Sequence, residues 1–322
     1  MSRRRQRGAA LLAAMLTVTL VAAFAASAMW QQWRALEIET AERARVQSGW
    51  ILMGALDWSR LILAEDLNAT RGVDHLAEPW AVPLEEARLS TFLAAERNVA
   101  QVQDASTDTT EAFLSGQITD LQSRLNLANL VQNNQVDAGA LASFARLFNQ
   151  LGLAPTELNA LAQALVQAQA PENAGADSPL LPQTLAQMHW LGASPATLAV
   201  LEPHVVLLPQ RTPVNLNTAS AEVLLASIEG LDQAGANKLV AVRQVQHFRS
   251  LEDVRALLSK QIALSANTLS VSSSYFEVRG RLRLGDVTVH ERSLVQRSET
   301  GVRTVWRERG ASTRGPENGT TF

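Results

Sequence analysis

The first thirty-odd residues constrain this chain more than any other segment. Four arginines (Arg3, Arg4, Arg5 and Arg7) lead to Gly8, and no charged residue then occurs from Ala9 to Trp33. As a helix rising about 1.5 Å per residue, the apolar part from Ala9 to Trp30 extends about 33 Å, enough to cross the hydrocarbon core of a bilayer. The arginines favour the cytoplasmic side, so everything after Arg34 is expected outside the cytoplasm.

Three outcomes fit this junction. A plain membrane anchor needs no processing. A secretory signal would use Ala26-Ser27-Ala28 as a small-x-small cleavage site and leave a chain beginning at Met29. A prepilin-type leader would be cut between Gly8 and Ala9 on the cytoplasmic face, with the new amino group of Ala9 then methylated. The short basic leader that ends in glycine, directly before the apolar run, resembles the third class.

The 322 residues leave room for one large domain or two modest ones after this segment. A net charge of −3 does not point to nucleic acid as a partner. The chain has no cysteine, which excludes disulfides and thiolate metal sites.

From Arg34 to about Leu67 no proline interrupts a helical pattern. Trp50, Gly54, Trp58 and Leu61, together with Ile51 and Ile62, recur at spacings of three and four and suggest a packing face. With the membrane segment this forms one helix of roughly sixty residues. An irregular stretch with Pro79, Trp80 and Pro83 follows. A short strand is expected near Ile118, ahead of an asparagine-rich turn. Helices are expected over 138–151, 155–168, 180–191, 195–202, 219–228, 233–246 and 250–258, several opened by proline or a capping hydroxyl. Residues 100–111 and 169–179 read as loops. After Asn267 apolar Phe276, Val278, Leu282 and Leu284 alternate with charged residues, and Gly285-Asp286 signals a tight turn. A final strand is expected over 302–307. A lone strand near 118 cannot be stable alone and would complete the sheet formed by 270–307.

Four stretches carry a family resemblance: Arg7-Gly8-Ala9-Ala10-Leu11-Leu12, Val73-Asp74-His75-Leu76-Ala77-Glu78-Pro79-Trp80, the run from Gln117 to Leu127, and Val214-Asn215-Leu216-Asn217-Thr218-Ala219. In this order they resemble the minor pseudopilin K family of type II secretion (GspK). The resemblance implies an α+β, pilin-like fold, with a long N-terminal helix packed on an antiparallel sheet and a large inserted all-helical domain. Its expected divisions are a leader at 1–8, the N-terminal helix at 9–67, the first part of the pilin-like domain at 68–127, the insertion at 128–266, closing strands at 267–309 and a disordered tail at 310–322.

The resemblance further implies cleavage after Gly8, N-methylation of Ala9, and a single-pass inner-membrane protein with its main domain in the periplasm. Most pilin-like chains carry glutamate five residues after cleavage, where this chain has Ala13. Within the family that absence belongs to the subunit at the filament tip, and a carboxylate in the bilayer is costly unless paired. The implied partners are minor pseudopilins of the I and J type, then the H type and the major G type. Prepilin peptidase is also implied, and secreted substrates or the outer-membrane channel are further candidates. The implied role is nucleation of the pseudopilus in support of export of folded periplasmic proteins, without catalysis.

A competing signal lies in Val214–Leu258, which resembles a helix-hairpin-helix module. A membrane-anchored DNA receptor of the competence type combines such a module with an N-terminal anchor. The hairpin normally frames an apolar residue with two glycines, but in Gly230-Leu231-Asp232 the second glycine is an aspartate. Residues 213–262 carry five acidic and five basic side chains, so the cationic excess that non-specific DNA binding needs is missing. The five histidines (His75, His189, His204, His247, His290) show no metal-ligand pairing at helical spacing, and no phosphate loop or nucleophile elbow occurs. No cofactor is expected. Loop calcium has two candidate oxygen sets, Asp66/Asn68/Thr70 before Gly72 and Asp104/Asp108/Glu111, but neither completes an EF-hand and no metal is assigned.

Overall fold

The computed structural model describes residues 7–70, 72–91, 112–169, 179–285 and 287–313. The expected loops at 100–111 and 169–179 fall largely outside these residues, as do Arg3, Arg4 and Arg5.

Helix α1 runs unbroken from Arg7 to Thr70, 64 residues, ahead of Gly72 with φ 81°. Alanine and leucine dominate its first half, and proline is absent. The Thr17 and Thr19 hydroxyls donate to the carbonyls of Ala14 and Leu16, so neither hydroxyl is left without a partner in the apolar stretch. Leu11, Leu12, Leu16, Phe24 and Trp30 are all exposed. This is the one helix among the described residues long and apolar enough to span a membrane.

The second half of α1 lies on a five-stranded antiparallel sheet of order β1-β2-β9-β10-β11. The strands are β1 (Leu84–Arg88), β2 (Ala112–Asp120), β9 (Tyr275–Leu284), β10 (Val287–Ser298) and β11 (Gly301–Thr313). Leu52, Leu56, Ser59, Leu63 and Asp66 form the buried stripe, at spacings of four, three, four and three. They meet Phe276, Val278, Leu282 and Val295 from the sheet, and the Trp80 ring packs edge-on to Phe276 at 5.2 Å. Trp50 and Leu61, expected on the packing face, are instead 69% and 57% exposed. This half of the helix has two apolar stripes, and periodicity alone could not say which one the sheet takes.

The contact is close because Gly116 and Gly280 oppose each other in the β2–β9 register. A Cβ on Gly280 would lie 3.1 Å from Leu52 Cδ2. Arg60 adds a polar tie, donating from Nε (2.9 Å) and Nη2 (2.6 Å) to the Val302 carbonyl. The strand near 118 is longer than expected and pairs with β9 as the alternation required. Two further differences concern the sheet edges. The segment before residue 90 contributes strand β1, and β11 continues to Thr313, beyond the expected boundary at 310. Both extensions follow from ladder pairing with a neighbour, which overrides weak local propensity.

Between β2 and β9 the chain builds a separate helical body. Its helices are α2 (Ala138–Leu151), α3 (Pro155–Gln169), α4 (Pro195–Leu201), α5 (Ala221–Ser227), α6 (Gln233–Val245) and α7 (Leu251–Leu257). Phe144, Leu147, Phe148, Leu161, Leu165, Met188, Leu224, Leu239 and Val254 fill its own core, distinct from the clusters under α1. The pair β4 (Val131–Gln132) and β5 (Gln135–Val136) turns through Asn133 and Asn134, both at positive φ, as the asparagine-rich turn foretold. The helix expected over 180–191 is a 3₁₀ turn at Ala186–Leu191 only. Pro182 lacks an N–H, and the Gln187 side chain accepts from the amides of Gln183 (2.7 Å) and Thr184 (3.3 Å) in place of a first helical turn.

Leu63→Ala should cost about 2–5 kcal/mol because the side chain is fully buried. Leu61→Ala on the exposed stripe should stay within about 0.5 kcal/mol. Chemical denaturation of the two variants checks the assignment of the packing face.

Candidate functional site

Four short segments converge where the helical body leaves and rejoins the sheet. They are the loop after α1, the end of β2, the stretch around β7 (Val214–Asn215), and the residues after β8 (Leu269–Ser270). β7 pairs with β8 in parallel. A second parallel pair joins β3 (Leu125–Asn126) to β6 (Val205–Val206).

At the centre is Asp120, buried at the end of β2. Its Oδ2 accepts from Thr218 Oγ1 (2.6 Å), Ser273 Oγ (2.7 Å) and Asn215 Nδ2 (3.1 Å), and its Oδ1 accepts from the Gln122 amide (2.8 Å). Burial pushes its carboxyl above the usual range, and these four donors work against that rise. Asn215 also donates to the Asp74 carbonyl at 3.2 Å. Gln122 bridges the two sides, donating to the Pro213 carbonyl (3.0 Å) and accepting from the Ser274 amide (2.6 Å). Asn126 accepts from the amides of Ala128 and Leu208 and donates to the Gln210 carbonyl and Thr212 Oγ1. Asn217 pairs with both backbone groups of Phe248, as a neighbouring strand would.

A second cluster adjoins the first through Ser273. Arg297, buried in β10, donates from Nη1 to Asp66 Oδ2 (2.9 Å) and the Leu63 carbonyl (3.4 Å). Its Nη2 donates to Asp74 Oδ1 and to the Ser273 carbonyl (2.9 Å), and its guanidinium lies 4.8 Å from the centre of the Phe276 ring. Asp66, Asp74 and Glu78 bring one oxygen each within 4.8 Å of one another, geometry that could hold a cation. The arginine already supplies positive charge there. Burial raises Asp74 to about 6 against the pull of Arg297, and raises Glu78 to about 7. Glu78 Oε2 accepts from the His75 amide (2.9 Å) and Trp80 Nε1 (2.6 Å), while buried Oε1 has no hydrogen-bond partner among the described residues and lies 3.7 Å from His75 Nε2. The His75 ring stacks on His247 at 3.8 Å, and burial lowers its pKa.

The candidate oxygen set Asp66/Asn68/Thr70 does not converge on a loop ion. Asp66 turns inward to Arg297, Asn68 is exposed, and the Thr70 hydroxyl donates to the Asp66 carbonyl. Asp104, Asp108 and Glu111 lie outside the described residues. Gly8, Ala9 and Ala13 lie in the first turns of α1, far along the chain from the joint, with Ala9 and Ala13 exposed.

The helix-hairpin-helix segment forms a hairpin of α5 and α6 with Gly230 at φ 78°. Asp232 caps α6, its Oδ1 accepting from the Gly235 amide at 2.7 Å, so a carboxylate fills the place a phosphate would take. Arg243 turns inward to the Leu216 carbonyl at 2.6 Å. These features do not favour the DNA-receptor alternative.

A 64-residue apolar-to-amphipathic helix lying on an antiparallel sheet, with a helical body inserted between two neighbouring strands, defines a pilin-like α+β protein with an inserted domain. Two family models, both described as type II secretion system (T2SS), protein K, match residues 214–276 and 123–210. Type II secretion system protein K of Pseudomonas aeruginosa is 28% identical over 96% of this chain and 94% of its own length. The Klebsiella pneumoniae protein of the same name is 26% identical over 91% and 93%. A chain in the crystal structure of the GspK-GspI-GspJ complex from enterotoxigenic Escherichia coli shares the fold, with a TM-score of 0.62 at 18% identity over 84% of this chain and 99% of that one. Family models, relatives and fold agree in likening the chain to type II secretion system protein K.

Glu78→Gln tests the buried acid cluster. An acid whose folded-state pKa is raised holds its proton more tightly when folded, so its contribution to stability is greatest below the unfolded value. That contribution falls as pH rises through about 6 for Asp74 and about 7 for Glu78. The melting temperature should therefore drop by roughly 3 °C or more between pH 5 and pH 8. In Glu78→Gln, a fixed neutral mimic, that drop should shrink, as thermal melts across the range would report.

Proposed function

We propose that this protein is a minor pseudopilin at the tip of the type II secretion pseudopilus. It is held in the inner membrane by α1, with its amino terminus in the cytoplasm and its sheet and helical body in the periplasm. Cleavage after Gly8 by prepilin peptidase, with methylation of Ala9, would release it for assembly. Its role is to nucleate the filament with minor pseudopilins of the I and J type, ahead of the H type and the major G type, in support of export of folded periplasmic proteins. The helical body would face secreted substrates or the outer-membrane channel.

The observation that carries this reading is α1 itself. Its first half has no protein cover, and its second half gives one apolar stripe to the sheet while Trp50 and Leu61 stay exposed. Such a helix is suited to packing beside other helices, first in lipid and then in a filament. Ala13 and the bulky insertion support a terminal position, because neither a paired carboxylate below nor free lateral packing above is available. The Asp120 carboxylate at the joint is filled by four donors, which suits a scaffold, and no catalysis is assigned to it.

Gly8→Leu should block leader cleavage, leaving Met1 or Ser2 as the amino terminus in membrane extracts and reducing secretion at least tenfold. Mass mapping of the mature terminus, with co-purification of the I-type and J-type pseudopilins, checks this. Normal processing and secretion in the variant would overturn the reading.

A further inference from the structure

The face of the sheet turned away from α1 carries a feature that assembly through α1 does not use. A groove of about 670 Å³ lies between the strands β9, β10 and β11 and the segment from Gln183 to Glu202. Leu198, Leu208, Leu294 and Trp306 give it apolar walls, and Arg124, Arg279 and Arg292 lie along it. The Nε atoms of Arg279 (2.5 Å) and Arg292 donate to the two oxygens of buried Glu277. That arrangement fixes both guanidinium groups and leaves their Nη atoms without hydrogen-bond partners among the described residues. The Arg292 guanidinium also lies 5.3 Å from the centre of the Trp306 ring.

Arg124 is the anomaly. Burial lowers the pKa of three arginines among the described residues: Arg124, Arg146 and Arg243. Arg146 donates to the Ala226 carbonyl and Arg243 to the Leu216 carbonyl. The Arg124 side chain has no hydrogen bond or ion pair among the described residues, and only the more distant charges of Glu277 and Glu202 act in its favour. A half-buried guanidinium with unfilled donors is poised to meet an acceptor entering the groove. A neighbouring groove of about 730 Å³ shares Arg279 and Arg292 and adds Arg281, whose buried Nε has no hydrogen-bond partner among the described residues.

We propose that this groove binds an extended acidic polypeptide segment, with a carboxylate meeting Arg124, Arg279 and Arg292 and the flanking apolar side chains lying against Leu198, Leu294 and Trp306. A carboxylate matches the planar N–H donors of arginine. The apolar walls on either side select a polypeptide over a small free anion such as phosphate. The exposed carboxylates of Glu202 and Glu308 at the rim would discourage a segment of uniform negative charge, so an isolated acid between apolar residues fits best.

The test uses the full-length protein in detergent and a capped, fluorescein-labelled hexapeptide, Gly-Leu-Glu-Leu-Ser-Gly, read by fluorescence anisotropy. Binding should weaken with salt and fall at least tenfold when the peptide glutamate is replaced by glutamine. Arg124→Gln should lose at least tenfold in affinity with a melting temperature no lower than that of the parent, because no bond is removed. Should Arg124→Gln fail to fold, Leu198→Glu in the apolar wall should produce the same loss. Arg303→Gln, whose partner is Gln296 outside the groove, should bind as the parent does. Equal binding of the glutamate and glutamine peptides, no binding of either, or full displacement by millimolar inorganic phosphate would each overturn the proposal. The readout does not depend on filament assembly, so its failure would be distinct from failure of the pseudopilin reading.

Discussion

One guanidinium holds three parts of this protein in register. Arg297 reaches from β10 to the carbonyl of Leu63 and the carboxylate of Asp66 on α1, to Asp74 in the following loop, and to the Ser273 carbonyl where the helical body rejoins the sheet. Buried charge is stabilising only when its hydrogen-bonding capacity is filled, and here carboxylates and carbonyls take both Nη atoms. The apolar contacts of Leu56 and Leu63 could tolerate small slips of α1 along the sheet. The planar donor set of Arg297 could not, so the direction in which α1 leaves the sheet follows from this contact.

The two cores differ in how they are joined. Aliphatic packing fills each one separately, whereas the seam between them is polar, built on Asp120, Gln122, Asn126, Asn215 and Thr218. Amide and carboxylate side chains offer donors and acceptors in fixed directions, so they set an angle between bodies where leucine would only set a distance. A separately packed helical body can therefore be carried at a defined orientation on the sheet.

Much of this was legible in the amino-acid order. Helix starts at Pro155, Ser194 and Ser220 were marked by proline or hydroxyl residues, and the β9–β10 hairpin by alternation around Gly285. The polar residues of the seam lay within the stretches that carried the family resemblance, although their roles as mutual hydrogen-bond partners could not be read from spacing. What eluded the sequence was non-local. Whether Trp50 or Leu52 faced the sheet depended on a partner surface over two hundred residues away. The pairing of Asp66 with Arg297, which removed Asp66 from a loop-ligand set, depended on the same long reach. Strand β1 has the pattern Leu-Glu-Glu-Ala-Arg and little intrinsic preference to extend, so it exists through its ladder with β2.

The placement of the helical body between adjacent strands bears on how the chain acquires its shape. β2 and β9 are neighbours, with Asp120 opposite Phe276, yet the intervening chain must be made before they can meet. Closing so long an unstructured loop carries an entropic cost and slows folding. A helical body with its own core can condense first. Once β7 pairs with β8 and Gln122 bonds to Pro213 and Ser274, its two ends are held side by side, and the sheet closes across a short gap. The insertion then acts as a clasp that brings the two strand ends together, turning a distant encounter into a local one.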